Sequence, residues 1–477
     1  MKILRYSLIT LILFLLLIQP VTAGGSSDCW QETANYPKSG RVVELKTTFP
    51  EKQWWMEFND PILNNYIKEA VSANQDIKIA LARIEQANAQ TGVVFGKEFP
   101  QITLRDYFLR TKGSNNFLVP NAGESQVKSS SFLAGGTQNL YILPLVAQYE
   151  LDLFRTNHLN TKAARKAAEA SCYNLSSVLI VIASDVATAY FNLLQADKLL
   201  KLQQCLLQNQ LISLELRQSQ FREGQISYDD ILYNQESVSQ IRANISDIQR
   251  LQGMLVHQLY ILMGKPPAVE ACFKRTDIDN ISVNKEIKIG NPSQLIVRRP
   301  DILSAEKQLE KAGINISIAR RQFLPTIPVI GTFGYASSNI RNYFDWNSSI
   351  AAIVAGFTQS LFTGGSKIST LRLNKALYKE AIESYQKTIL NSFKDVEDSL
   401  RTLNTNITQY IQAEEDTNSS KQQLTLTTDR YNQGINSKLD VLSSEQQLIN
   451  FQQNLVQSKI RLLITNISLY KALGGGY

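Results

Sequence analysis

Two aspartates occupy matching places in this chain, each behind a glycine and a serine at the same spacing: Gly224, Ser227, Asp230 and Gly434, Ser437, Asp440. This is the chemistry of a helix stop followed by a helix start. Glycine adopts the left-handed backbone that ends a helix without a Cβ clash. A serine three residues on can cap the next helix, and an aspartate three further can reach back to the serine backbone N–H. Carboxylates on a turn can do more when copies of the chain meet. Like charges at close range repel, raise one another's pKa values and hold a cation.

Catalysis has no comparable motif. His158 and His257 are the two histidines, on separate expected helices. No G-x-S-x-G, H-E-x-x-H or phosphate-binding loop occurs. Cys29, Cys172, Cys205 and Cys272 lie far apart with no C-x-x-C among them, which argues against structural zinc. The expectation is therefore no enzyme, no catalytic residue, no metal and no cofactor. Cys172 and Cys205 read as buried helical thiols, and a Cys29–Cys272 bridge stays open. The net charge of +7 is spread among interleaved acids, the pattern of a solvated surface and not of a nucleic-acid binder.

The 477-residue chain opens with Lys2 and Arg5, an apolar run from Leu8 to Ile18, and Val21-Thr22-Ala23. That pattern is a secretory signal peptide cut after Ala23. Beyond it no unbroken apolar run of about 18 residues occurs, so the mature chain is expected to enter a membrane, if at all, through β-strands.

The elements that position the two turns are duplicated. Shifting by 210 positions aligns Gly224 with Gly434, Ser227 with Ser437, Asp230 with Asp440 and Gly264 with Gly474. A shift of 225 aligns Asp76-Ile77, Ala80, Glu85 and Phe99-Pro100 with Asp301-Ile302, Ala305, Glu310 and Leu324-Pro325. Each half reads as a helix, a β-hairpin region, a very long helix, the glycine turn and a helix running back. The first helix is expected to open at Asp60-Pro61 in one half and at Arg299-Pro300-Asp301 in the other, where proline fits the first helical position. No proline or glycine interrupts Asn157 to Glu223 or Ser366 to Gln433. Each such segment would span about 100 Å and needs coiled-coil-like packing. Trp54 and Trp55 read as packing a loop onto a helix.

Strands are expected at Gln101 to Thr111, about Tyr141 to Phe154, Thr326 to Ser337 and Ile350 to Phe362. The fold class is mixed α/β and mainly α. Four strands cannot close a barrel, and an open sheet in lipid leaves backbone groups unpaired. A membrane-spanning version must therefore share one barrel among several chains, and three chains would supply twelve strands and a lumen.

The chain resembles the outer membrane factor (TolC-like) family, in particular the NodT/OprM-like channels that serve resistance-nodulation-division efflux pumps. The resemblance runs from about Trp54 to Gly475. It rests on Trp54-Trp55-x-x-Phe58-x-Asp60-Pro61-x-Leu63, Tyr149-Glu150-Leu151-Asp152-Leu153-Phe154-Arg155, Arg298-Arg299-Pro300-Asp301-Ile302, Phe323-Leu324-Pro325, Ser360-Leu361-Phe362-x-Gly364-Gly365 and the paired turns. It implies a homotrimer in the outer membrane, with a shared twelve-stranded barrel and a helical periplasmic tunnel. The expected partners are a periplasmic adaptor protein, an inner-membrane transporter of resistance-nodulation-division type and outer-membrane lipid. It makes Asp440 and Asp230 candidate gate residues, and Gly224, Ser227, Gly434 and Ser437 the candidate adaptor-docking tip.

The expected organisation is a signal peptide (1–23), an extended segment (24–53), a first repeat (54–264), a linker (265–290) and a second repeat (291–475). Ser360, Asn436 and Ser443 depart from residues common in relatives. Relatives are often lipidated on a cysteine near Cys29, and Asp28 directly before it does not fit such a site. The alternatives are a type I protein-secretion channel of the same fold, or a secreted coiled-coil adhesive protein, against which the paired strand regions argue.

Overall fold

The computed structural model describes residues 53–113, 136–267, 273–282 and 298–475. All belong to the compact unit Thr47–Tyr477; the other unit, Met1–Lys46, lies outside the described residues. So do the expected signal peptide, Cys29 and Cys272. In chain order the described elements are α1 (Pro61–Ala73), α2 (Gln75–Phe95), β1 (Gln101–Leu104), β2 (Tyr107–Gly113), β3 (Gly136–Glu150), α3 (Thr156–Arg222), α4 (Tyr228–Leu262), α5 (Pro300–Arg321), β4 (Pro328–Ser337), β5 (Ser349–Ala355), α6 (Ser366–Asn432) and α7 (Lys438–Ala472).

The stretches free of proline and glycine do form unbroken helices. α3 and α6 each hold 67 residues, and α4 and α7 each hold 35. Their bounds differ between the halves by the same 210 positions. At about 1.5 Å per residue, a return helix covers only about half of the long helix beside it. The other half is covered by a short helix: α2 packs on α3, and α5 packs on α6. α5 and α7 also pack on α3.

The join between return helix and short helix corrects the expected start of the first half. Asp60 does cap a helix, accepting from the Ile62 and Leu63 backbone N–H groups at 2.8 and 3.4 Å. That helix ends at Ala73, however, and a second one starts behind Asn74. The counterpart of Pro300 in the 225 alignment is therefore Gln75, not Pro61. Asn74 serves two helices at once. Its Oδ1 accepts from the Asp76 and Ile77 N–H groups at 2.7 and 3.3 Å, and its Nδ2 donates to the Leu262 carbonyl at the end of α4 at 2.8 Å. In the second half Arg299 takes this place. Its Nη1 donates to the Ala472 carbonyl at the end of α7 at 3.1 Å, while its other nitrogens grip the Asp301 carboxylate at 3.0 and 2.7 Å.

The strands form one antiparallel sheet in which β1 and β2 both pair with β3, followed by β4 and β5. The expected first strand is thus one ribbon in two pieces. The gap, Arg105-Asp106, faces Leu143-Pro144. Pro144 has no N–H to donate there, although its carbonyl still accepts from Arg105 N–H at 3.1 Å. On its other side Pro144 pairs with Gly334, where a Cβ would lie 2.0 Å from the Leu143 carbonyl oxygen. β3 stops at Glu150, short of the expected Phe154, because Asp152 turns to cap α3. It accepts from Thr156 N–H at 2.5 Å and His158 N–H at 3.0 Å. Arg155 there is left-handed (φ 56°), and so is Gly365, its equivalent before α6 (φ 81°). β5 ends at Ala355, short of Phe362.

The core lies where α1, α3, α4 and α7 meet. Tyr190, Phe191 and Leu193 of α3 are fully buried against Leu63, Ile67 and Leu259. Trp54 stacks on Tyr470 with ring centroids 5.5 Å apart, and both tryptophans are buried, in line with a packing role. One stretch of α3 is long and apolar enough to cross a membrane, yet 67% of it is buried inside the fold, so it reads as core. Cys172 is buried as expected, whereas Cys205 is exposed: it faces outward between the buried positions Gln203 and Leu206.

The joint yields a prediction. Gly264 is left-handed (φ 67°), and a Cβ there would lie 2.3 Å from the Ala73 carbonyl oxygen. Gly264→Ala should cost roughly 3 kcal/mol or more. Gly224→Ala, also left-handed but in open space, should cost only about 1–2 kcal/mol. Thermal melting of the purified protein compares the two, and equal losses would refute the packing account.

Candidate functional site at the hairpin turns

Each long helix ends in the same way. Gly224 and Gly434 have φ of 74° and 75°. Around them the Gln225 N–H donates to the Gln220 carbonyl at 2.9 Å, and the Ile435 N–H to the Arg430 carbonyl at 2.8 Å. These bonds close the last turn over carbonyls that have no helical partner. Nothing lies within 4 Å of a Cβ at either glycine, so backbone conformation and not crowding demands glycine there.

Both serine–aspartate pairs form capping boxes. At the second turn the Ser437 backbone N–H and hydroxyl each donate to Asp440 Oδ2 at 2.8 Å, and the Asp440 N–H donates to Ser437 Oγ at 3.2 Å. At the first turn the Ser227 N–H and hydroxyl donate to Asp230 Oδ2 at 3.2 and 3.3 Å. Arg217 Nη1 stands 3.9 Å from the other oxygen of Asp230. Asp440 is exposed, and the bonds from the Ser437 N–H and hydroxyl hold its carboxyl below the usual carboxylate range. It is a fixed anion at neutral pH.

The structure brings Gly224, Ser227 and Asp230 together in one turn and Gly434, Ser437 and Asp440 in the other. Apolar side chains stand exposed around both: Tyr228, Leu232 and Tyr233 near the first, Tyr431 and Ile435 near the second. Lys438 lies 5.7 Å from the Tyr431 ring centroid, so the basic residue two positions after Asn436 is engaged with an aromatic face. Among the described residues no group of three His, Cys, Asp or Glu could hold a metal ion.

Periodicity did not single out the buried and half-buried polar residues above the turns. Gln210 Nε2 donates to Asn234 Oδ1 at 2.5 Å, and Asn234 Nδ2 donates to Ser213 Oγ at 3.3 Å, linking α3 to α4. Asn209 reaches the other way and links α3 to α7. The available signal was a run of amides and hydroxyls at positions where helical spacing calls for apolar residues.

The family model for outer membrane efflux proteins matches residues 66–265 and 291–475. The chain is 29% identical over 451 residues to the solvent efflux pump outer membrane protein SrpC of Pseudomonas putida, covering 94% of this chain and 92% of that protein. It is 27% identical over 454 residues to the cation efflux system protein CusC of Escherichia coli O6:H1, covering 91% of each. The fold matches the outer membrane protein VceC of Vibrio cholerae with a TM-score of 0.77 at 24% identity, covering 89% of this chain and 98% of that one.

The capping box generates a pH prediction. A carboxyl whose folded pKa is lowered contributes stability above its unfolded value, and that contribution is lost as pH falls through the folded pKa. Protection of the first turn of α7 from hydrogen exchange should therefore persist at neutral pH and fade only below about 3.8, the ordinary value for this carboxyl. Asp440→Asn should lose it at neutral pH. Exchange at residues 438–442 that is indifferent to the substitution would show that the box does not hold the turn.

Proposed function

This chain belongs to the outer membrane efflux protein family, and from that premise we propose that it forms a homotrimeric outer-membrane duct for small molecules, gated at its helical turns. Efflux across the outer membrane is the family's work. The relatives named above belong to a solvent efflux pump and a cation efflux system, so small organic molecules and cations are the cargo classes we assign. A periplasmic adaptor protein meets the exposed apolar turns around Gly224, Ser227, Gly434 and Ser437. An inner-membrane transporter of resistance-nodulation-division type supplies the energy. Asp440, with Asp230 beside the first turn, forms the gate.

The observation that carries the assembly is the unequal packing of two equivalent helices. α3 is packed by α2 and α4 of its own repeat and by α5 and α7 of the other. α6 has its own short and return helices, α5 and α7. It leaves Leu373, Leu377, Leu390 and Leu426 exposed. The duplication names what is missing: surfaces equivalent to α5 and α7, which are α2 and α4 of another copy. Such a head-to-tail contact must close into a ring or run on as a fibre. Three copies close a sheet of twelve strands, and this leaves no unpaired edge in lipid.

Two measurements test this reading. Asn209 faces Glu445 within the chain, and the equivalents of these residues are Ser419 and Gln235. Ser419→Cys with Gln235→Cys, in a background without the native cysteines, should cross-link into trimers with a short bis-maleimide. Monomers alone would sink the ring. In planar bilayers Asp440→Ala should raise conductance severalfold and weaken block by cations, because a ring of like charges holds a cation at the narrow end. Unchanged conductance and unchanged block would remove Asp440 from the gate.

A further inference from the structure

Asn209 sits in α3 about four helical turns before Gly224 and is buried. Its Nδ2 donates to the Leu442 carbonyl oxygen at 3.1 Å and to Glu445 Oε2 at 3.2 Å, both on α7. Leu442 and its neighbour Val441 are buried and directly follow Asp440, the aspartate of the capping box. The side chain of Asn209 therefore grips the same stretch of backbone that carries the gate aspartate. On the same stretch of α3, the adjacent Gln210 and, one turn on, Ser213 bind Asn234 of α4. At this level α3 carries a polar rung between the turn-bearing ends of both return helices.

A buried amide costs free energy unless it is bonded, so a rung of this kind is specific in register. Sliding α7 along α3 by one turn would leave the Asn209 amide without its two acceptors. Any opening that carries the second turn away from α3 must break both bonds, and the one to Glu445 is charge-assisted. The equivalent of Asn209 in the second half is Ser419, which is exposed. A serine hydroxyl is too short to reach where an asparagine amide does. The latch therefore belongs to the junction within the chain, between α3 and α7.

We infer that Asn209 is a positioning residue for the gate: it holds the start of α7, and with it Asp440, against α3. This rests on the gate reading of Asp440 given above.

The test uses the full-length protein in planar bilayers. Asn209→Leu removes both bonds and keeps the volume. The open-to-closed ratio should rise about tenfold, the scale of a lost buried hydrogen bond, while trimer yield and melting temperature stay close to those of the parent. A normal ratio with a lowered melting temperature would make Asn209 merely structural and overturn the inference. A second measurement covers a variant that fails to assemble. Asn209→Cys and Glu445→Cys are introduced into an Asp440→Ala channel without native cysteines, and joined by a short bis-methanethiosulfonate. The tether should return the raised conductance toward the closed level, and reductant should release it. A tether without effect overturns the latch. If Asp440→Ala alone opens the channel and neither Asn209 experiment responds, the gate stands and the latch falls. If Asp440→Ala is also silent, the gate reading falls and the latch with it.

Discussion

The fold depends on joining two helices end to end. A return helix of 35 residues is too short to accompany a partner of 67, so a second helix must continue its line. Every helix end leaves orphan groups, carbonyls at one end and N–H groups at the other. Where α4 stops and α2 starts, the two sets face one another, and the helix dipoles run head to tail. Asn74 bridges them with one amide, its oxygen on the N–H groups of α2 and its nitrogen on a carbonyl of α4. The approach is close enough that Gly264 admits no Cβ. Because α2 leads directly into β1, this joint also sets the sheet on the helices.

The second half solves the same problem with different chemistry. Arg299 and Asp301 divide the work that Asn74 does alone, and Arg299 extends to Asp395 on α6 at 3.3 Å. A buried guanidinium needs several partners, and here it has the carbonyl end of α7, the start of α5 and the flank of α6. The duplicated element is thus the geometry, with the bonding residues free to differ. The same holds before the long helices, where Arg155 and Gly365 share a left-handed backbone. In the first copy the Asp152 cap and a bond from Arg321 Nη1 to the Arg155 carbonyl at 3.0 Å hold a residue that glycine would fill without strain.

This explains which features were legible in the sequence. The long helices were, because absence of proline and glycine over such lengths leaves few other folds. The turns were, because glycine, serine and aspartate at fixed spacing have one economical geometry. The break at Asn74 was not: asparagine is common inside and outside helices, and only the carbonyl of Leu262, far away in the chain, makes it a cap. The split of the first strand was hidden for a similar reason, since its cause, Pro144, lies in the neighbouring strand. Cys205 was misplaced because a helix this long changes neighbours along its length, so one periodic stripe cannot describe it. Asn209 was missed because its partners lie in the other half of the chain.

Burial and bonding are not uniform along the long helices. Around Tyr190 of α3, the segment 273–282 crosses over four helices. Tyr66 of α1 donates to the Lys274 carbonyl at 2.9 Å, and Arg275 pairs with Asp197 of α3 at 2.6 Å. Thr276 Oγ1 donates to Asp60 Oδ1 at 3.1 Å, while Tyr190 donates to its Oδ2 at 2.7 Å. Phe273 packs its ring on Tyr260 of α4, and Lys459 of α7 donates to the Ile278 carbonyl at 2.7 Å. Burial here pushes the Tyr190 hydroxyl up and the Lys459 ammonium down in pKa, as expected where water is excluded. Toward the turns this density falls away, and Phe221, Tyr228 and Tyr233 stand exposed. Local opening costs least where few apolar groups are buried and few bonds cross between elements. The strap fixes the helices at mid-length and the joints fix them above it. Below it, buried Leu202 and Leu206 pack with Ile241 of α4 and Ile449 of α7, and the polar rung of Asn209, Gln210, Ser213 and Asn234 adds the hydrogen bonds nearest the turns, so the freedom that remains is concentrated at the turns.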